Sequence, residues 1–168
     1  MLKGEYQLII KEIKIQDFIE YKSIILDLLI ETYYSNFDIS LEQSVNISKE
    51  KINIIPKYLE QGNTILMGAF VDKKLIGFIW LYIHNYFDEQ RIHINQIIVS
   101  QNYRSKGIGK KLIKEVESIA KKHKIKTIDL FVSEINQNAI NFYESLNFTT
   151  ERRYMKKVLL EDKNVDCN

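Results

Sequence analysis

Apolar and polar residues alternate from Tyr6 to Ile13, after Gly4, and this period of two predicts a first strand. The step then lengthens. Phe18, Tyr21, Ile25, Leu28, Leu29 and Thr32 recur at intervals of three and four, which puts them on one face of a helix that Asp17 can cap. Ser40 predicts the start of a second helix, with Gln43 three positions on as its reciprocal capping partner. That helix runs toward Gly62. Pro56 lacks an N–H and crowds the preceding turn, so it is expected to kink or split the helix.

Period two returns at Thr64–Val71, and Asp72-Lys73-Lys74 reads as a turn into a hairpin partner, Leu75–Ile83. Arg91–Val99 is a further strand. Gly107–Lys122 is helical, with Ile108, Leu112, Ile113, Val116, Ile119 and Ala120 on its apolar side. A short strand at Thr127–Val132, a helix at Asn136–Leu146 and a closing strand at Phe148–Val158 complete the pattern, and the residues from Glu161 read as a polar, frayed tail. Hairpin strands followed by a β-α-β unit indicate a mixed sheet in one α/β domain. The expected organisation is one domain over residues 1–160 and a tail at 161–168.

Composition agrees with a globular chain. Of 168 residues, 45% are hydrophobic and 27% charged, which excludes global disorder. A chain of this length should bury roughly 70% of its unfolded surface and needs no metal or disulfide to hold it. The single cysteine, Cys167, can form no intramolecular disulfide. No apolar run approaches the ~20 residues of a membrane helix, and no secretory signal is visible. A cytoplasmic location is expected, with no membrane partner. The net charge of +2 gives no overall argument for nucleic acid.

Chemistry concentrates at Asn95–Leu112, where a strand passes through a short basic loop into a helix opened by Gly107 and Gly109. A helix start offers N–H groups without intrahelical acceptors and a positive dipole end, and glycine lets backbone approach a ligand closely. The result suits phosphate. It is neither a P-loop, because Arg104 and Lys111 stand where that motif needs Gly and Ser or Thr, nor a dinucleotide fingerprint, because Leu112 stands at its third Gly. Arg104, Lys106, Lys110, Lys111 and Lys114 give the segment a local positive excess.

The Arg-x-x-Gly-x-Gly run after an apolar strand resembles the acetyl-CoA loop of the GCN5-related N-acetyltransferase (GNAT) superfamily. Further on, Asn136-x-x-Ala139, then Phe142-Tyr143, then Leu146-Asn147-Phe148 resembles that superfamily's next motif, at matching spacing. Departures are Gln101 where Pro is common, Ser105 where Gly is common, and Asn147 where Gly is usual. Asn is the next best residue for a left-handed helix end.

The resemblance implies a GNAT-like α/β (α+β) fold, a mixed and mostly antiparallel sheet flanked by about four helices. It also implies an acetyltransferase that moves an acetyl group from acetyl-CoA, as co-substrate, directly to a primary amine. The backbone at Ile97, Ile98 and Val99 would pair with the pantetheine arm. Arg104, Ser105, Lys106, Gly107, Ile108, Gly109 and Lys110 would wrap the pyrophosphate. Asn136 would lie near the pantetheine, Ala139 would leave room for the cofactor, and Tyr143 would protonate the departing thiolate. A non-catalytic acyl-CoA-binding module is the alternative. The acceptor is left open between a small amine, an antibiotic, an amino sugar and a protein N-terminus or lysine, and a homodimer is left open as well.

The proton acceptor follows from strand alternation and chemistry. Alternation puts His93, Asn95, Ile97 and Val99 on one face, and imidazole, titrating near ~6.5, makes His93 the favoured base. Asn95 could position water, and Glu89 could serve from its loop. His84 follows a hairpin strand and His123 lies in a lysine cluster; three scattered histidines and no clustered cysteine give no expected metal site. Tyr33, Tyr34, Phe37, Tyr82, Tyr86 and Phe87 are the expected wall of the acceptor site, and Asp88 and Glu89 could attract an amine.

Overall fold

Helix and strand starts are set locally, by a few hydrogen bonds each. A computed structural model describes residues 7–62 and 64–157, so Tyr6, Val158, the tail and Cys167 lie outside the described residues. Two compact units divide the chain, Met1–Ser133 and Glu134–Asn168.

The first unit opens with β1 (Leu8–Glu12) and α1 (Ile15–Asn36). Helix α1 starts earlier than expected. The N–H groups of Asp17 and Phe18 both reach back to Lys14 O at 3.0 Å, so Asp17 is not the cap. It sits in the first turn, where its charge complements the helix dipole. Helix α2 (Leu41–Glu60) begins as expected: Gln43 N–H donates to Ser40 Oγ at 3.1 Å and Ser40 N–H donates to Gln43 Oε1 at 2.8 Å. Pro56 lies within α2 without splitting it, and helical bonding continues beyond with Gln61 N–H on Lys57 O.

Strands β2 (Thr64–Val71), β3 (Lys74–Tyr86), β4 (Glu89–Val99) and β5 (Thr127–Leu130) join β1 in one sheet of order β1-β2-β3-β4-β5. The first three pairings are antiparallel and β4–β5 is parallel, the mixed sheet that the element order predicts and the mostly antiparallel one that the resemblance implies. Both hairpin turns are tight and place two residues at positive φ: Asp72 (50°) and Lys73 (65°), then Phe87 (44°) and Asp88 (64°). That is the geometry whose twist suits a hairpin, carried here without glycine.

Helices α1 and α2 cover one face of the sheet. Ile25, Leu28, Leu29, Ile52 and Ile55 pack there with Leu66, Phe70, Phe78, Trp80 and Ile98. Helix α3 (Ile108–Lys122) buries Leu112, Ile113, Val116 and Ala120 and packs on β2, β4 and β5. It ends with Lys124 at φ 57°, whose N–H bonds to Lys121 O while Ile125 N–H reaches Ala120 O.

The second unit holds α4 (Gln137–Glu144). Asn136 caps it, its Oδ1 accepting from Ala139 N–H at 3.1 Å. The helix ends in a Schellman turn: Asn147 at φ 64°, its N–H on Glu144 O, and Phe148 N–H on Tyr143 O. The Tyr143 and Phe148 rings meet edge to face at 5.4 Å across that turn. Residues 148–157 form no strand, contrary to expectation. The Glu151-Arg152-Arg153 run interrupts the apolar alternation, and residues 149–157 are exposed.

Lys73→Gly tests the hairpin geometry. Relief of a left-handed side chain outweighs the extra freedom of unfolded glycine, for a net gain of roughly 0.5–1 kcal/mol. A rise in the urea midpoint at unchanged slope is expected; a fall would contradict the turn assignment.

Candidate active site

Strand β5 pairs with β4 only from Arg91–Thr127 to Ile94–Leu130. Beyond that point β4 continues to Val99, and no described strand pairs with Asn95–Val99 on that side. The register against β3 breaks at the same place: Trp80 faces Gln96 but Leu81 faces Ile94, which leaves Asn95 as a bulged residue. The expected alternation is therefore corrected. Residues directly opposite share a face, so His93 goes with Tyr82, and Gln96 and Ile98 go with Trp80 and Phe78, on the side covered by α1 and α2. Ile97 and Val99 go with Ile79 and Gly77 on the other side. Gly77 is required there, because a Cβ would lie 2.6 Å from Ile98 O.

The loop after Val99 is tied to α1. Glu31 Oε1 accepts from Gln101 N–H at 3.2 Å and from the Arg104 guanidinium at 3.0 Å, and Arg104 Nε–H donates to Val99 O at 2.9 Å. Arg104 thus shapes the loop, and the exposed cations beside it are Lys106, Lys110 and Lys111. Ser105 has φ 60° and Gly107 φ 78°, so Ser105 adopts the conformation that glycine favours. Gly107 is the N-cap of α3 and no side chain caps the helix. The first helical bond is Lys111 N–H to Gly107 O at 3.1 Å, so the N–H groups of Ile108, Gly109 and Lys110 have no intrahelical acceptor. The Ile108 side chain is buried and anchors the helix.

The other end of β4 carries a polar cluster that the sequence scatters over three strands. His93 Nδ1 lies 2.6 Å from Asp129 Oδ1, and His84 Nε2 lies 3.3 Å from Asp129 Oδ2. Arg91 NH1 lies 3.6 Å from the same Oδ2 and its Nε–H donates to Glu89 at 2.8 Å, while Thr127 donates to the other Glu89 oxygen. These hydrogen bonds, Thr127 first and then Arg91, hold the Glu89 carboxyl below its usual range. The Tyr82 ring stacks on His93 at 4.8 Å, and Phe131 lies 5.1 Å away. Burial, and then the charge of Asp129, push the Tyr82 phenol up. Beside this cluster a cleft of about 270 Å³ is lined by Lys51, Ile54, Tyr58, Thr64, Trp80, Tyr82 and Asn95. Of the expected aromatic wall, Tyr82 lines this cleft. Tyr33 instead accepts from Gln96 Nε2 at 3.0 Å, and Phe87 is exposed in its turn.

Residues 24–148 match the Acetyltransferase (GNAT) family. The chain belongs to that family. It is 32% identical over 117 residues to the spermidine N(1)-acetyltransferase of Thermoplasma acidophilum, covering 69% of this chain and 70% of that one. It is 29% identical over 87 residues to the spermine/spermidine N(1)-acetyltransferase of Bacillus subtilis, covering 49% of this chain and 57% of that one. Among solved structures it resembles a GCN5-related N-acetyltransferase from Ralstonia eutropha, with a TM-score of 0.74 at 13% identity, covering 90% of this chain and 99% of the other. An aminoglycoside acetyltransferase from an uncultured soil metagenomic sample gives a TM-score of 0.68 at 22% identity, covering 92% and 96%. At such identities the likeness is one of fold.

In this GNAT chain the second unit carries Asn136, Ala139 and Tyr143. Asn136 caps α4, and Tyr143 lies between Phe142 and Phe148, where burial pushes its phenol up to about 12. Sequence reasoning missed Asp129, Arg91 and the role of Glu31. Asp129 reads as an ordinary polar position in a short strand, and only the parallel register puts it opposite His93. The register also brings His84 and His93 within 5.9 Å, ring to ring, correcting the expectation that the histidines are scattered.

Gly107→Val tests the helix start. No atom lies within 4 Å of a Cβ built there, so the cost is backbone strain at φ 78°, about 1–2 kcal/mol. A folded but less stable variant with weakened acetyl-CoA affinity in calorimetry is expected. Unchanged affinity would remove Gly107 from the binding loop.

Proposed function

We propose that the protein is an N-acetyltransferase that takes acetyl-CoA as co-substrate and a primary aliphatic amine as acceptor. The observation that carries this reading is the uncapped start of α3 directly following the unpaired run of β4. These residues fit a CoA molecule. Helix-start N–H groups at Ile108, Gly109 and Lys110, with Lys106 beside them, suit a pyrophosphate, and the unpaired strand edge at Ile97–Val99 suits the amides of a pantetheine arm. Bound there, acetyl-CoA would supply an acetyl group activated as a thioester.

The chain's own groups divide the remaining work. A backbone N–H near Val99 would stabilise charge on the thioester oxygen. His93, oriented by Asp129 through Nδ1, would accept the amine proton at Nε2, directly or through water. Tyr143 would protonate the leaving sulfur, the role implied by the resemblance. Its raised pKa keeps the phenol protonated through the neutral range. Because the folded value lies above the ordinary one, the associated stability is full below pH 10.0 and is lost as pH rises through about 12. Tyr58, Trp80 and Tyr82 give the adjoining cleft aromatic walls suited to an ammonium and its alkyl chain. The Thermoplasma and Bacillus relatives act, by name, on spermidine and spermine, which makes polyamines the first acceptors to test.

Steady-state rates with a fixed polyamine across pH test these roles together. Tyr143→Phe should lower kcat roughly 10- to 1000-fold with a smaller change in KM for acetyl-CoA. His93→Gln should remove the acidic limb of kcat/KM. Wild-type kcat in Tyr143→Phe would leave that ring a packing role, and an unchanged limb in His93→Gln would move the base elsewhere. Tight acetyl-CoA binding with no thiol release across an amine panel would favour a non-catalytic binding module.

A further inference from the structure

His84, His93 and Asp129 stand on three adjacent strands and turn to the same face. Tyr82 lies opposite His93 and two residues from His84, and Asp129 lies opposite His93 on β5. Each of the three offers a ligand atom, and those atoms lie within 4.8 Å of one another. His84 Nε2 is fully covered, makes no hydrogen bond, and lies 3.3 Å from Asp129 Oδ2. A covered ring nitrogen aimed at a carboxylate without a bond to it is costly. The three side chains thus bring one ligand atom each within reach of a single cation.

We propose that this triad is a binding site for a divalent late first-row transition metal, with Zn²⁺ as the reference ion. Two imidazoles and one carboxylate, with a further position open, form a donor set typical of zinc at about 2.0–2.2 Å per bond. Tetrahedral bonds of that length put ligand atoms roughly 3.3 Å apart, so the 2.6 Å pair at His93 and Asp129 opens slightly and the wider pairs close. Binding displaces the proton that His93 Nδ1 shares with Asp129, and the ring stays neutral by carrying its proton at Nε2 instead. The strands hold the three residues in place, while Tyr82 and Phe131 flank His93. Arg91, 3.6 Å from Asp129 Oδ2, opposes the cation, and its pairing with Glu89 partly offsets this. Arg91 therefore tunes affinity downward.

This site goes beyond the proposed acetyl transfer, and metal binding is measured without turnover. It has one consequence there: an ion on His93 Nδ1 would leave Nε2 carrying the ring proton, unable to accept another, so zinc would inhibit.

The experiment titrates Zn²⁺ into the chelator-treated full chain by calorimetry near neutral pH, with Co²⁺ absorption as a second readout. One ion per chain is expected, with a low-symmetry visible Co²⁺ band that zinc displaces. His84→Gln and Asp129→Asn should each weaken zinc binding at least about 100-fold, Arg91→Gln should tighten it, and His123→Gln, at an exposed position, should leave it unchanged. His84→Gln should also abolish zinc inhibition, read as each protein's rate with zinc relative to its own zinc-free rate. If an amine screen finds no acetyl transfer, the calorimetry still decides the site. Equal zinc affinity in wild type, His84→Gln and Asp129→Asn, or no binding to wild type, overturns the proposal.

Discussion

The parting of β5 from β4 after the Ile94–Leu130 pair is the constraint from which the rest of the site follows. It leaves Asn95–Val99 without a strand neighbour on one side, and the Asn95 bulge against β3 falls at the same point. A strand that pairs on both edges is closed to ligand backbone; one that loses a neighbour partway presents amides and carbonyls. Downstream, the chain turns through Ser100–Gly107 directly into α3. The strand edge and the helix start therefore succeed one another within a few residues. Glu31 and Arg104 fix that turn, with Arg104 held between the Val99 carbonyl and α1.

The bulge also separates two chemistries along β4. Before it, His93 and Arg91 face the α1–α2 side and meet Asp129, His84 and Glu89. After it, Ile97 and Val99 face the opposite side, and the chain runs on to the uncapped start of α3. In the proposed reaction, proton handling would sit on β4 before the bulge and phosphate binding beyond the strand's end, at the start of α3.

Local signals were legible in the residues; register was not. Ser40 with Gln43, Gly107 at the start of α3, and Asn147 at the end of α4 each act through their own neighbours, and each stands in the structure where the sequence predicts it. The sheet's mixed character followed from element order. The Asn95 bulge went unread although the adjacent polar residues Asn95 and Gln96 break the alternation there, because the apolar run Ile97-Ile98-Val99 fits either phase; a single extra residue exchanges the faces beyond it. Asp129 escaped for the same reason, since its meaning depends on a parallel pairing between distant segments. Phe148–Val158 was misread as a strand because its first residues resemble one, although Phe148 instead closes the Schellman turn against Tyr143.

Amide hydrogen exchange with and without acetyl-CoA tests the account most directly. Protection should rise at Ile97–Val99 and at Gly107–Lys110, where strand edge and helix start would find acceptors and donors in the ligand, while β1 and the β2–β3 turn stay unchanged. Acetyl-CoA binding that leaves both segments as exposed to exchange as before would contradict it.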